Sequence, residues 1–248
     1  YLRGVAFVQI PTSLLAQVDA SVGGKTAVNH RAGKNLIGTF YQPRLVVADP
    51  VVLRTLPKRE LRSGLAEIVK HGMVLSAPYF HRMEELMPAL LRRDVEALTE
   101  AVAGSCQLKA AVVAADERES GERALLNYGH TFGHALEAVT AFRRFRHGEA
   151  VSLGMEMAAS LACDLGLLAP EAAAAQRRLL QAAGLPVALR GRPPCNTAQL
   201  LDAMRYDKKV ARGRLRFVLA RGIGRGEVRA DVPEATVSAV CDRFLSGS

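Results

Sequence analysis

The sequence predicts a mainly α-helical protein whose first fifty-odd residues have α/β character. An apolar, β-branched run at residues 5–10 is followed by short strand-like segments between turn residues. From Pro57 onwards the apolar residues recur at helical spacing. The 248 residues, 49% hydrophobic and 23% charged, fit one or two globular domains and exclude disordered and fibrous classes. We place the boundary between residues 1–56 and 57–248.

The α/β part is predicted from turn signals. Pro11 ends the first strand, and Thr12 with Ser13 caps a short helix. Gly23 and Gly24 form a turn. The predicted elements are a strand at 5–10, a helix at Leu14–Ala20, and strands at Lys25–Asn29, Leu36–Thr39 and Leu45–Ala48.

The remaining elements follow from the 3.6-residue period and from capping residues. Near the end, two apolar segments flank a glycine turn and predict a small hairpin. The predicted helices span 57–73, 78–90, 94–115, 124–140, 148–164, 170–183, 197–204 and 234–245, with hairpin strands at 215–220 and 228–230.

Charge and cysteine content limit the class of partner. The net charge of +9 suits an anionic ligand, although a solvated arginine-rich surface is the simpler explanation. No run of five like charges supports a nucleic-acid arm. Four irregularly spaced cysteines predict reduced thiols and a cytoplasmic location. No apolar run reaches about 18 residues, so we expect no membrane span.

The segment from Asn127 to His134 carries the most chemical information. On one continuous helix, Asn127, His130 and His134 share a face, and Gly129 and Gly133 allow close backbone approach. Two imidazoles at this spacing can bind one metal, or they can be ordinary helix histidines.

Further ligands can be sought nearby in the sequence. His147 supplies a third imidazole, and a catalytic zinc site often adds a carboxylate. Glu67 and Lys70 share a helical face, but taken alone this spacing favours an exposed ion pair.

Several basic and amide groups lie near glycine turns. The segment from Asp19 to Thr26 lacks the first glycine of a P-loop, which excludes that class of nucleotide site. Lys25 and the following Gly33-Lys34-Asn35 suit an anionic or polyhydroxylated ligand, or form plain turns. Taken one at a time, the remaining charged candidates are more typical of solvated surface than of a site: Lys109, Glu119, Arg123 and Asp207-Lys208-Lys209.

Taken together and in this order, these segments resemble the 3-dehydroquinate synthase family over essentially the whole chain. The resemblance implies an N-terminal Rossmann-like NAD-binding domain and a C-terminal all-helical metal-binding domain. The segments that carry it are Arg3-Gly4-Val5, Pro11-Thr12, Gln17-Val18-Asp19, Val22-Gly23-Gly24-Lys25-Thr26, Asn29-His30, residues 33–38, Thr55-Leu56-Pro57, residues 63–67, residues 126–134, His147-Gly148-Glu149 and Asp207-Lys208-Lys209.

The resemblance also implies roles for individual residues. Zn²⁺ or Co²⁺ would be held by Glu67, His130 and His147. The implied catalytic residues are Glu119, His134 and Lys70. The implied substrate contacts are Arg3, Asp19, Lys25, Asn35, Lys109, Arg123, Asn127 and Lys208. The implied NAD contacts are Thr12, Ser13, Lys34, Val52, Leu53, Arg54 and Thr55. Arg3 is similar to an arginine that enters the neighbouring subunit's site, which implies a homodimer.

The implied reaction converts 3-deoxy-D-arabino-heptulosonate 7-phosphate to 3-dehydroquinate and phosphate through transient oxidation, elimination, reduction and aldol closure. No nucleic acid or membrane is expected as a partner. The family's glycine-rich dinucleotide segment would lie before Tyr1, so we expect a truncated NAD domain. Alternatives are a cyclase making another cyclitol, an inactive fragment, and a metal-dependent polyol dehydrogenase. Lys109 and Arg123, as carboxylate-binding groups, favour the synthesis of 3-dehydroquinate over these alternatives.

Overall fold

The computed structural model describes residues 5–30, 33–117, 121–208 and 215–247. Within these ranges the helices are α1 (Lys58–Leu75), α2 (Ala77–Leu91), α3 (Val95–Ala115), α4 (His130–Val139), α5 (His147–Asp164), α6 (Pro170–Ala182), α7 (Thr197–Lys208) and α8 (Glu234–Ser246). The strands are β1 (Val8–Gln9), β2 (Lys25–His30), β3 (Gly33–Phe40), β4 (Leu45–Val46), β5 (Phe217–Gly222) and β6 (Arg225–Arg229). The fold is therefore mainly α-helical, as predicted.

The strands form three separate two-stranded sheets. β1 pairs in parallel with β4, β2 pairs antiparallel with β3, and β5 pairs antiparallel with β6. The predicted first strand at 5–10 is shortened to two residues, because its parallel pairing covers only Val8 and Gln9. Exposed apolar side chains, including Val8 and Leu45, lie on this short pair.

Helix α5 forms the centre of the helical core. It packs against α1, α4, α6, α8 and β5, and all but a few of its residues are buried. Small residues make this position possible. A Cβ atom on Gly154 would lie 2.0 Å from the carbonyl oxygen of Gly129, and one on Gly148 would lie 2.2 Å from that of Ser63. The glycines therefore set how closely α5 approaches α4 and α1.

The helix predicted over 124–140 is interrupted. A 3₁₀ helix covers Glu122–Asn127, and α4 begins only at His130. Gly129 lies between them with a φ of 76°, a left-handed conformation that glycine adopts at little cost. The prediction that Asn127, His130 and His134 share one continuous helix is therefore wrong.

Two further short helices shape the N-terminal region. Ala16–Ala20 form a π-helical turn within the predicted helix, and Pro50–Thr55 form a 3₁₀ helix capped by Asp49, whose Oδ1 accepts a hydrogen bond from the Val51 amide at 2.9 Å. The four cysteines carry free thiols, as expected. Among the described residues, no helix combines the length and the apolar character that a membrane crossing requires.

The crossing of α1 and α5 gives a first test. Gly148→Ala is expected to lower the free energy of unfolding by about 1–3 kcal/mol, because the new methyl group overlaps the Ser63 backbone. Urea unfolding of the metal-free protein measures this change. Ala174→Ser is the control, because it adds one heavy atom at an exposed position of α6, where substitutions change stability little. Equal stability of the two variants would contradict a tight crossing.

Candidate metal centre and anion-binding cleft

Three helices bring the predicted metal ligands together. Glu67 lies in α1, His130 begins α4 and His147 begins α5. Glu67 Oε1 lies 3.4 Å from His147 Nε2 and 3.8 Å from His130 Nε2. One ligand atom from each residue falls within 4.8 Å of the others.

These separations suit a tetrahedral metal site. Ligand bonds of 2.0–2.1 Å place ligand atoms roughly 3.3 Å apart, whereas a hydrogen bond would bring them to about 2.9 Å. Within the described part of the chain, both carboxylate oxygens of Glu67 are buried without a hydrogen bond of regular geometry. The donor set of two imidazoles and one carboxylate is one that catalytic zinc sites use. The residues present therefore fit a divalent metal.

The protonation states of the three ligands are set by their surroundings. Burial opposes ionisation of Glu67, but Lys70, which contacts Oε2, and the two imidazoles hold its pKa well below its usual range. Burial and the charge of Lys70 lower the pKa of His130 to about 3, which keeps it neutral. Burial also disfavours the charged form of His147, but the carboxylates of Glu137 and Glu67 raise its pKa to about 9.

Lys70 and Glu67 are fully buried, so the expectation of an exposed ion pair is wrong. The spacing of three residues does place both side chains on one face of α1. The face on which the pair lies is covered by the other helices of the core.

A cleft of about 790 Å³ opens beside the metal ligands. Among the side chains that the structure describes, four cations and one carboxylate line it, and this balance suits an anion. The predicted residues that line it are Asp19, Lys25, Lys70, Lys109, Arg123, Asn127 and His130. The structure thus brings together side chains that lie more than one hundred residues apart in the sequence.

Contacts inside the cleft tie its two walls together. Lys109 Nζ contacts both the carboxylate and the backbone oxygen of Asp19. Arg123 donates to the carbonyl oxygens of Gly23, at 2.5 Å, and Glu117. Burial favours protonation of Asp19, but Lys70 and Lys109 outweigh it and lower its pKa to about 2. The carboxylate of Asp19 therefore keeps its negative charge across the physiological range.

The other predicted site residues lie outside the cleft lining or outside the described structure. The His134 ring lies 5.2 Å from that of His130. Thr12, Val52, Arg54 and Thr55 are exposed, Ser13 is partly buried, and Leu53 is in the core. Arg3 and Glu119, and the side chains of Lys34, Asn35 and Lys208, lie outside the described residues.

Two residues near the metal ligands escaped the sequence analysis. Glu137 lies 3.6 Å from His147, and it follows His130 by seven residues and His134 by three, a spacing that places all three on one face of α4. That spacing could have revealed it. His71 is the second. It follows Lys70 directly in the sequence and belongs to no motif, so no sequence pattern indicates its role.

His71 is buried beneath the cleft. Its Nδ1 lies 2.6 Å from Ser105 Oγ, and its buried Nε2 has no hydrogen-bond partner among the residues that the structure describes. Burial lowers its pKa to about 3, aided by Lys70 and Lys109 and opposed by Glu67 and Asp19. The folded protein therefore holds a neutral imidazole at pH values where the unfolded chain would be protonated.

This burial predicts a pH dependence of stability. As pH falls from about 6.5 towards 3, the unfolded chain takes up a proton at residue 71 and the folded chain does not, so the folded state loses stability. Between pH 7 and pH 5, His71→Gln should remove about 2 kcal/mol of this loss, at about 1.4 kcal/mol per pH unit. Urea unfolding of the metal-free protein at both values measures it. The exposed His81→Gln is the control, and an unchanged slope in His71→Gln would refute the prediction.

Known families match the chain along most of its length. The model described as "3-dehydroquinate synthase N-terminal" matches residues 1–63, and "3-dehydroquinate synthase C-terminal" matches residues 64–210. A curated 3-dehydroquinate synthase from Crocosphaera subtropica is 47% identical over 246 residues, which are 98% of this chain and 67% of the relative. The chain spans about two thirds of the length of the curated relatives it matches.

Solved structures give the same grouping. The 2-epi-5-epi-valiolone synthase of Streptomyces hygroscopicus subsp. jinggangensis, with NAD⁺ and Zn²⁺ bound, is 32% identical with a TM-score of 0.88, covering 97% of this chain and 66% of its own. A 2-deoxy-scyllo-inosose synthase complexed with carbaglucose-6-phosphate, NAD⁺ and Co²⁺ is 27% identical with a TM-score of 0.85. The match covers 99% of this chain and 69% of the synthase chain. The chain belongs to the 3-dehydroquinate synthase family.

Proposed function

We propose that the chain converts 3-deoxy-D-arabino-heptulosonate 7-phosphate to 3-dehydroquinate and inorganic phosphate. The observation that carries the proposal is the position of the Glu67, His130 and His147 cluster directly beside a cleft rich in cations. A phosphorylated sugar acid needs both features. Curated relatives that carry the name 3-dehydroquinate synthase support the same reaction.

Two groups would complete the site. Zn²⁺ or Co²⁺, the ions named with the two solved cyclases, would be held by Glu67, His130 and His147 and would supply Lewis-acid polarisation of alcohol and carbonyl oxygens. NAD⁺ would supply reversible hydride acceptance, so the reaction has no net redox change. The residues proposed to contact NAD are Thr12, Ser13, Lys34, Val52, Arg54 and Thr55. Leu53 is not among them, because it is fully buried in the core.

The cationic side chains bind and orient the substrate. Lys25, Asn127 and His134 are assigned to the phosphate, together with Lys208. Lys109 and Arg123 are assigned to the carboxylate, with Asp19 and Asn35 as further substrate contacts. Holding both anionic ends fixes the carbon chain between them, which lowers the entropic part of the barrier without covalent chemistry by these residues.

Proton transfer is the remaining task of the protein. Elimination removes a proton from the carbon next to a carbonyl, forms a carbon–carbon double bond and releases phosphate with the electrons of its C–O bond. We assign proton transfer to His134, Lys70 and Glu119. Lys70 is buried against Glu67 at the cleft, and the ring of His134 lies beside that of His130, so both stand next to the proposed metal.

We further propose a cytoplasmic homodimer. The free cysteine thiols agree with a reducing compartment. Arg3 would reach the partner's site and contribute a cation to the substrate contacts there.

A related cyclase that makes another cyclitol is the second candidate function. The TM-scores of 0.88 and 0.85 with the valiolone and inosose synthases support this second candidate, because the helical framework is shared across these cyclases. The groups that distinguish the candidates are the cleft cations assigned to the substrate carboxylate, Lys109 and Arg123.

The metal assignment predicts a loss of binding in ligand variants. Glu67→Ala and His130→Ala should abolish stoichiometric Zn²⁺ binding, measured by chelator competition. In the full-length protein, they should also abolish phosphate release in the presence of NAD⁺ and Zn²⁺. His81→Ala, which removes an exposed histidine paired with Glu84, should retain both properties. Stoichiometric Zn²⁺ binding by Glu67→Ala would rule out this site.

The carboxylate assignment predicts a substrate preference. The heptulosonate phosphate should exceed an analogue with a hydroxymethyl group in place of the carboxylate by about 10–100-fold in kcat/KM, the worth of a charge-assisted hydrogen bond. Lys109→Met should narrow this ratio, whereas the exposed Lys58→Met should not. Equal kcat/KM values for both compounds in the wild-type protein would favour the second candidate function.

A further inference from the structure

The imidazole of His147 lies between two carboxylates. Its Nε2 faces Glu67 Oε1 at 3.4 Å, and its Nδ1 faces Glu137 Oε1 at 3.6 Å. The side chain of Glu137 is only 5% exposed. The ring nitrogen is thus a polar neighbour of a buried carboxylate, and burial of a charge is tolerated where such neighbours are present.

The backbone around Glu137 is well anchored. Its carbonyl oxygen accepts hydrogen bonds from the Phe142 amide, at 2.8 Å, and from Thr140 Oγ1, at 3.1 Å. These contacts close the C-terminal end of α4, which packs along α5. The carboxylate therefore projects towards His147 from a fixed position.

We propose that Glu137 is a positioning residue that accepts the Nδ1–H of His147 and so directs the Nε2 lone pair towards the metal shared with Glu67 and His130. This inference rests on the proposed metal centre. Histidine ligands commonly donate their second ring N–H to a carboxylate or carbonyl, which fixes the tautomer and the ring orientation.

The two histidine ligands differ in how they are oriented. His130 Nδ1 lies 3.0 Å from the carbonyl oxygen of Tyr128, an acceptor that belongs to the backbone. His147 depends on a side chain instead. A single substitution at residue 137 can therefore remove the orientation of one ligand while leaving that of the other intact.

A second metal site is the competing explanation. His134, Glu137 and His147 also offer ligand atoms within 4.8 Å of one another. A neutral imidazole has one lone pair, so His147 could serve two metals only as an imidazolate. A carboxylate that accepts its N–H needs no such deprotonation. The proposal therefore predicts one metal ion per chain.

Metal titration tests the proposal without an activity assay. Co²⁺ absorption spectra give stoichiometry and ligand geometry, and chelator competition gives Zn²⁺ affinity. Glu137→Gln, which keeps an oxygen acceptor but loses the charge, should weaken Zn²⁺ binding about tenfold. Glu137→Leu, which removes the acceptor, should weaken it towards a hundredfold.

Glu156→Gln is the matched control, because Glu156 is another buried glutamate that is not part of the cluster. Its Oε2 lies 2.6 Å from Arg177 Nε. It should bind Zn²⁺ as the wild-type protein does. An equal loss in Glu156→Gln would overturn the proposal, since the effect would then be one of general destabilisation. Urea unfolding of each metal-free variant identifies those that fold.

The remaining outcomes are also decisive. Wild-type affinity in Glu137→Gln or Glu137→Leu overturns the proposal, and if the leucine variant does not fold, the glutamine variant decides. Two equivalents of Co²⁺ in the wild-type protein, with one lost on substitution of Glu137, would establish the second metal site instead. If the wild-type protein binds no metal, the proposed metal centre itself fails, which is a separate result.

Discussion

The buried carboxylate of Glu67 is the constraint on which the rest of the structure depends. Removing a carboxylate from water costs several kcal/mol unless other groups compensate for its charge. Here the compensation comes from Lys70, one helical turn away, and from imidazoles at the starts of α4 and α5. Three helices must therefore converge on one point. The glycines of α5 serve this convergence, because any larger side chain at Gly148 or Gly154 would separate the helices.

Paired charges also line the cleft above Glu67. Asp19 and Lys109 contact each other across the boundary between the N-terminal segment and α3, and Lys70 contacts Glu67 below them. Such fixed, partly desolvated charges interact more strongly with a ligand than they would in water. Because they are already oriented, little reorganisation is needed when an anion binds. A cleft of this kind suits a substrate that carries charge at both ends.

The sequence predicted helices well and tertiary environment poorly. Apart from the start of α4, the 3.6-residue period of apolar residues identified the helices to within a few residues, because burying one face is what creates that period. The break before α4 escaped prediction, because Gly129 and Gly133 look alike in sequence and only one of them takes a left-handed conformation. The i, i+3 spacing of Glu67 and Lys70 is likewise the same for an exposed pair as for a buried one. What distinguishes the two cases is which helices cover the pair, and that is a long-range property.

The cations assigned to the substrate also hold the site together. Lys109 joins α3 to the turn that carries Asp19, and Arg123 joins the 3₁₀ helix before α4 to the glycine turn that precedes Lys25. A carboxylate arriving in the cleft must share these cations with partners they already have. The cations that are proposed to recognise the anion are therefore also the groups that join the segment from Asp19 to Lys25 to the helices.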